Sequence, residues 1–118
     1  MAKVVIYLFH GDPDSLGAGS HVAERVRQVA AEQGVELEVF CFGPAQTALL
    51  DPTLEGPVRE YNVQIDELIA AGVPVAACLN AARAHDAEDS LRSRGVDLQY
   101  ARDAFVRYAT EAATVMSF

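Results

Sequence analysis

GVPVAACLN, residues 72–80, contains in order the features of a buried strand that leads into a helix. Gly72 is a residue type that ends helices, and the apolar run after it closes at Cys78. Asn80 follows and is a common helix N-cap. Ligands of open α/β sheets bind just outside the carboxyl ends of the strands. The stretch therefore predicts a strand over residues 73–79 and a candidate functional thiol at its end.

The same joint between a helix and a strand occurs three times, at Gly34-Val35, Gly72-Val73 and Gly95-Val96. Each glycine supplies the left-handed residue that ends a helix, and each valine begins a strand. Alternating strands and helices form right-handed βαβ units, which assemble into a parallel sheet with helices on both faces. We therefore expect an α/β fold.

The elements are predicted from apolar periodicity and turn residues. Strands are expected over residues 3–9, 35–42, 73–79, 96–100 and 114–118, the last at a sheet edge. Helices are expected from Ser20, the predicted N-cap, to Gly34 and over residues 45–50, 58–71, 81–94 and 102–112, with a break near His85 and a cap at Asp86. Val22, Val26, Val29 and Ala30 are predicted to form the buried stripe of the first long helix.

Composition limits the class of protein. The 118 residues are expected to form one domain, residues 1–118, and carry a formal charge of −8, which argues against binding to nucleic acid or to anionic membranes. The apolar run at residues 4–9 is too short for a signal peptide or a membrane span, so a cytoplasmic location is expected. Two widely spaced cysteines suggest neither a disulfide framework nor a metal site.

Cys78 has two interpretations on the residues alone. A helix that begins directly after it would stabilise a reactive thiolate, and Arg83 and His85 follow within two turns. Alternatively, cysteine is among the most frequently buried residue types, and Cys78 belongs to the core. Cys41, between Phe40 and Phe42 in the second predicted strand, is interpreted as a core thiol.

The segment from His10 to Ser20 is predicted to be a loop between the first strand and helix. Its glycines suggest a phosphate cradle, but it contains Asp12 and Asp14 and no lysine, so a plain loop is favoured. His10 follows the first strand on the same rim as Cys78 and is a candidate proton partner, although a surface histidine is the favoured interpretation.

Three segments together resemble the DsrE/DsrF-like (YchN-like) family of small sulfur-relay proteins. They are an Asp-Pro-Asp loop after the first strand, EVFCFGP at residues 38–44 and IDELIAAGVPVAACLN at residues 65–80. The similarity covers most of the chain and is most specific over residues 68–80.

The resemblance implies a three-layer α/β/α sandwich around a five-stranded parallel sheet, assembled as a homotrimer or homohexamer. It also implies that Cys78 carries a persulfide, without a cofactor, and exchanges sulfur with a donor or acceptor protein. His10, Asn80 and Arg83 are predicted to support the thiol. The alternative is an oligomeric, non-enzymatic module that binds a small ligand or regulates a partner, with Cys78 structural.

Overall fold

A computed structural model describes residues 1–118, which form one five-stranded sheet with helices on both faces. All strand pairs are parallel and the strand order is β4-β3-β2-β1-β5, so the α/β prediction and the three-layer sandwich are confirmed. The strands are β1 (Ala2–Leu8), β2 (Val35–Cys41), β3 (Val75–Cys78), β4 (Asp97–Gln99) and β5 (Thr114–Ser117). The fifth strand lies at an edge, as predicted.

Strand order explains how the helices are divided between the two faces. The helices are α1 (Pro13–Ala30), α2 (Gly43–Ala48), α3 (Pro57–Ala70), α4 (Leu79–Ala84), α5 (Glu88–Arg94) and α6 (Ala101–Thr110). From β1 to β4 the sheet grows in one direction, so right-handed crossovers place α1 to α5 on one face, here called the five-helix face. The connection from β4 to β5 returns across the whole sheet, which places α6 alone on the opposite face, here called the α6 face.

The three glycine joints have the predicted conformation. Gly34, Gly72 and Gly95 have φ values of 69°, 88° and 99°. In this left-handed region a side chain would clash with the backbone, so glycine ends each helix with little strain. The valine after the glycine begins the strand only at Val35, because β3 begins at Val75 and β4 at Asp97.

The predicted loop from His10 to Ser20 is wrong beyond Asp12, because α1 begins at Pro13. The Asp12 side chain caps the helix by accepting a hydrogen bond from the Ser15 N–H at 3.0 Å. An Asp-Pro pair is a strong helix start, since Asp caps the free N–H groups and proline has the required φ. Ser20 is therefore a buried residue inside α1 that donates to the Leu16 carbonyl at 2.8 Å. The phosphate cradle does not form.

The buried stripe of α1 also differs from the prediction. Leu16, Ser20 and Ala23 are buried beside the sheet. Of the predicted stripe, Ala30 is buried and Val22 packs against the core, whereas Val29 is 49% exposed. Gly19 lies on the side of α1 that faces the sheet, where a Cβ would collide with the Leu8 side chain. Small residues allow α1 to lie close to the sheet, and this close approach decides which face is buried.

The break predicted near His85 is present, but Asp86 does not cap the next helix. Asp86 has a φ of 52°, in the left-handed region, and the Ala87 N–H donates to the Ala82 carbonyl at 2.8 Å. This is the Schellman arrangement, with an aspartate in place of the usual glycine. Asn80 is not an N-cap either, because α4 begins at Leu79 and Cys78 is its N-cap residue. The strand ends one residue earlier than expected.

Among the six helices, no segment is both long enough and apolar enough to cross a membrane.

Candidate functional site

The connections that follow β3 and β4 leave the sheet on opposite faces. The chain leaves β3 toward α4 on the five-helix face, but leaves β4 toward α6 on the α6 face. In α/β proteins, ligands bind outside the carboxyl ends of neighbouring strands whose connections diverge in this way. Cys78 lies level with Gln99 on β4, and Tyr100 follows immediately. We call this region the β3–β4 rim.

The backbone of Cys78 is held by the side chain of Gln46, from α2. The Cys78 N–H donates to Gln46 Oε1 at 3.0 Å, and Gln46 Nε2 donates to the Cys78 carbonyl at 2.9 Å. Because β2 ends at Cys41, level with Ala77, the Cys78 carbonyl extends past the last residue of β2. Gln46 is buried and supplies the hydrogen bonds that a longer strand would have made.

Strand alternation places the Cys78 side chain on the α6 face. Ala76 packs on that face and Ala77 on the five-helix face, so the next residue points toward the α6 face again. Cys78 is 6% exposed. The thiol therefore lies at the margin of the less covered side of the sheet, with its main chain held in place by Gln46.

Arg83 is the cation nearest to Cys78 along α4, and it is exposed and paired. Its Nε donates to Glu88 Oε1 at 3.0 Å. Glu88, and to a smaller extent Tyr100, raise the pKa of Arg83. Arg102 lies 5.5 Å from the centre of the Tyr100 ring, in cation–π geometry. Two guanidinium groups therefore flank Tyr100, the residue that follows β4.

The structure separates one of the four predicted site residues from the others. Asn80 and Arg83 lie on α4, directly after Cys78, and both are exposed. His10 follows β1. Because β2 lies between β1 and β3, His10 is about 10 Å from Cys78 along the rim. The hydrogen bonds of Cys78 to side chains run to Gln46 and not to His10, Asn80 or Arg83.

His10 instead lines a separate rim cavity of about 590 Å³. The other lining residues are Tyr7, Phe9, Ser15, Ser117 and Phe118. The carbonyl of Phe118 accepts hydrogen bonds from the N–H groups of Phe9 and His10, at 2.9 and 3.2 Å. This cavity does not include Cys78.

Cys41 is a core thiol, as predicted. It is fully buried on the five-helix face, and this burial raises the pKa of its thiol to about 11. Tyr61 donates its hydroxyl to the Ala45 carbonyl at 2.9 Å and lies 3.5 Å from the Cys41 sulfur. The two cysteines therefore lie on adjacent strands but point to opposite faces of the sheet.

Gln46 is the residue of this site that sequence reasoning missed. It belongs to a predicted helix of six residues, and its partner lies 32 positions away. The available signal was a single amide in a short helix of small and apolar residues with one threonine, which did not identify a partner. Elsewhere, no three His, Cys, Asp or Glu side chains converge closely enough to ligate a metal ion.

Comparison with known proteins supports the fold. No protein-family model matches the chain, and no curated protein is similar enough to count as a match. A conserved protein of unknown function from Bacteroides thetaiotaomicron matches with a TM-score of 0.77 and 13% identity, over 98% of this chain and 94% of that protein. A protein of unknown function from Methanobacterium thermoautotrophicum matches with a TM-score of 0.71 and 23% identity, over the full length of both chains.

The ychN protein from E. coli matches with a TM-score of 0.73 and 22% identity, again over the full length of both chains. At these identities the matches establish a common fold. The architecture that the resemblance implied is therefore confirmed by three solved structures.

Proposed function

We propose that this protein is a cytoplasmic, sulfurtransferase-like sulfur carrier that holds a persulfide on Cys78. The observation that carries the proposal is the position of Cys78 at the β3–β4 rim, where the connections of neighbouring strands diverge to opposite faces. Further support comes from α4, which begins at the next residue, and from Gln46, which holds the Cys78 backbone in place. Both cysteines are free thiols, as is usual in a reducing compartment.

The proposed step is an exchange between sulfur atoms. The Cys78 thiolate attacks the outer sulfur of a persulfide on a donor protein, and a new S–S bond forms. The S–S bond of the donor breaks at the same time, and the donor leaves as a thiolate. An acceptor thiolate then removes the outer sulfur from Cys78 by the same reaction. The exchange needs no oxidant, reductant or cofactor, because the number of S–S bonds does not change.

Two neighbouring residues suit this chemistry. Arg83 supplies positive charge close to an anionic persulfide, and Asn80 supplies exposed amide donors one turn before it. His10 lies about 10 Å from Cys78 along the rim. It therefore exchanges a proton at Cys78 only through a bound group that contacts both residues.

Intact-protein mass spectrometry tests the carrier function. After incubation with a cysteine desulfurase and cysteine, the native protein should gain the mass of one sulfur atom, and peptide mapping should locate it on Cys78. Cys78→Ser should gain nothing, whereas Cys41→Ser should be loaded like the native chain. The carrier function is wrong for this class of donor if no sulfur is gained while iodoacetamide still alkylates Cys78.

The cavity beside His10 favours a second candidate function, a non-enzymatic module that binds a small ligand or regulates a partner. Its volume of about 590 Å³ and its mixed aromatic and polar lining suit a small molecule, and Cys78 lies outside it. Under this function Cys78 is structural. Native mass spectrometry of protein purified from cells should then show a bound small molecule that Cys78→Ser retains and His10→Ala loses.

A further inference from the structure

Helix α2 is held in place by side chains of the neighbouring helices. It has only six residues, and an isolated helix of this length is not stable in water. The last carbonyl groups of any helix also lack partners within the helix. In α2 and directly after it, the carbonyls of Ala45, Ala48 and Leu49 accept hydrogen bonds from side chains of α3 and α5. The position of α2 therefore depends on those two helices.

Two of the donors are adjacent residues of α3. The Tyr61 hydroxyl donates to the Ala45 carbonyl at 2.9 Å, and Asn62 Nδ2 donates to the Ala48 carbonyl at 3.0 Å. Both side chains are buried. A shift of α2 along α3 would leave these buried donors without partners, which costs free energy. The two hydrogen bonds thus fix how far α2 extends along α3.

The third donor is Arg94, the last residue of α5. Its Nη1 donates to the Leu49 carbonyl at 2.8 Å, and its Nε donates to Asp66 Oδ1 at 2.6 Å. Its Nη2 donates to Asn62 Oδ1 at 2.7 Å and to the Asn62 carbonyl at 3.2 Å. The bond to Oδ1 orients the Asn62 amide, so that Nδ2 faces the carbonyl of Ala48. The planar guanidinium therefore joins the end of α2 to α3 both directly and through Asn62.

Gln46 lies within the helix that these contacts hold. Its side-chain amide makes two hydrogen bonds with the backbone of Cys78, at 3.0 and 2.9 Å. Cys78 has the extended φ of −74° and ψ of 123°, and α4 begins at the next residue. A shift of α2 would therefore move Gln46, and with it the backbone that carries the thiol.

The end of β3 has no other side-chain anchor. Within β3, Gln46 is the one side chain that bonds the backbone. Cys78 is level with Gln99 of β4 on one side, but the register with β2 ends one residue earlier, at Cys41 and Ala77. Cys78 thus has a strand partner on one side, and the Gln46 amide takes the place of a partner on the other.

We propose that Arg94 is a positioning residue for sulfur transfer at Cys78 and that it acts through α2 and Gln46, an inference that rests on the proposed function. Arg94 touches neither the thiol nor a donor protein. Attack on an S–S bond requires the three sulfur atoms to be nearly in line, and a displacement of about 1 Å can cost about a hundredfold in rate. The contacts of Arg94 keep α2, and therefore the thiol, in place for this alignment.

Persulfide loading kinetics test the role. With the cysteine desulfurase as donor, Arg94→Met should lower kcat by about tenfold or more, because the thiol is misaligned. KM for the carrier should stay within about twofold, because Arg94 does not contact the donor. Arg59→Met is the matched control, since Arg59 on α3 is exposed and forms no ion pair, and its kinetics should be native. An unchanged kcat for Arg94→Met, or a rise in KM alone, overturns the proposal.

Iodoacetamide labelling tests the route through Gln46 and needs no sulfur donor. Gln46→Met and Arg94→Met should each raise the labelling rate of Cys78 by about threefold or more, because the released end of β3 opens more often. The double variant should match Gln46→Met alone, since Arg94 acts through that residue. Effects that multiply in the double variant overturn the proposal. If the native chain takes up no sulfur while the labelling effects do not multiply, the carrier function fails and the positioning of the thiol stands.

Cys41 reports whether each variant remains folded. It is fully buried, so it should stay unlabelled in every variant whose core is intact. If Arg94→Met exposes Cys41, Arg94→Lys takes its place, because lysine keeps the charge and loses the planar fork that reaches both α2 and α3. Labelling of Cys41 in both variants would make Arg94 a residue of general stability, and that result also overturns the proposal.

Discussion

The two faces of the sheet differ in how completely they are covered. On the five-helix face, 20 buried residues form one continuous core, whereas the core of the α6 face contains five. The α6 face also holds the Glu38 ion-pair network, the Cys78 side chain and the exposed side of α6. The comparison indicates that most of the buried core lies on the five-helix face, while the α6 face is less completely covered.

The cysteines should show the largest difference between the faces. Cys41 is fully buried and the pKa of its thiol is raised to about 11, so at pH 8 it should react only when the chain unfolds. For a domain of ordinary stability, Cys41 should then be labelled at about a thousandth or less of the rate measured for the unfolded chain in urea. Cys78, at the rim, should react first. Timed labelling with iodoacetamide and peptide mapping would measure both rates, and labelling of Cys41 before Cys78 would contradict the assignment of the faces.

Truncation of apolar side chains should show a smaller difference. Ile65 on α3 is fully buried, so Ile65→Ala should lower the free energy of unfolding by about 3 kcal/mol. Phe105 on α6 is more than a third exposed, so Phe105→Ala should cost about 1 kcal/mol. Urea denaturation at matched protein concentration would measure both. Equal losses would show that the two faces are equally well packed.

The smallest of these effects concerns Glu38 and has a pH signature. Burial acts to raise the pKa of Glu38, but hydrogen bonds from Arg107 and Lys3 outweigh it and lower the pKa below its ordinary value. The carboxylate therefore stabilises the fold at neutral pH, and this contribution is lost as pH falls below about 4.3 and through the lowered pKa. Glu38→Gln should cost about 1 kcal/mol at pH 7, less than for a fully buried pair because Arg107 is partly exposed.

Unfolding curves of the native chain and Glu38→Gln at pH 7 and pH 3 would check this prediction. Their stabilities should converge at the lower pH. A constant difference at both pH values would mean that the network makes no charge-dependent contribution, and the α6 face would then depend on its apolar contacts alone.

Local signals predicted most of the elements. The glycine joints gave the ends of three helices, and the uncharged run at residues 114–118 gave the edge strand. The misplaced start of α1 had a local signal, Asp12-Pro13, that was interpreted as a turn. The side chains around Cys78 could not be predicted in this way, because Gln46 is 32 positions away along the chain.

The sequence by itself determined the order of strands and helices, the parallel sheet and the position of Cys78 at the end of a strand. These features follow from local periodicity, helix-ending glycines and the handedness of crossovers. Only the tertiary structure decided that Cys41 and Cys78 point to opposite faces, that Gln46 holds the Cys78 backbone, and that β5 and α6 leave an apolar surface uncovered. These features depend on contacts between distant residues, which pack only when the whole sheet has formed.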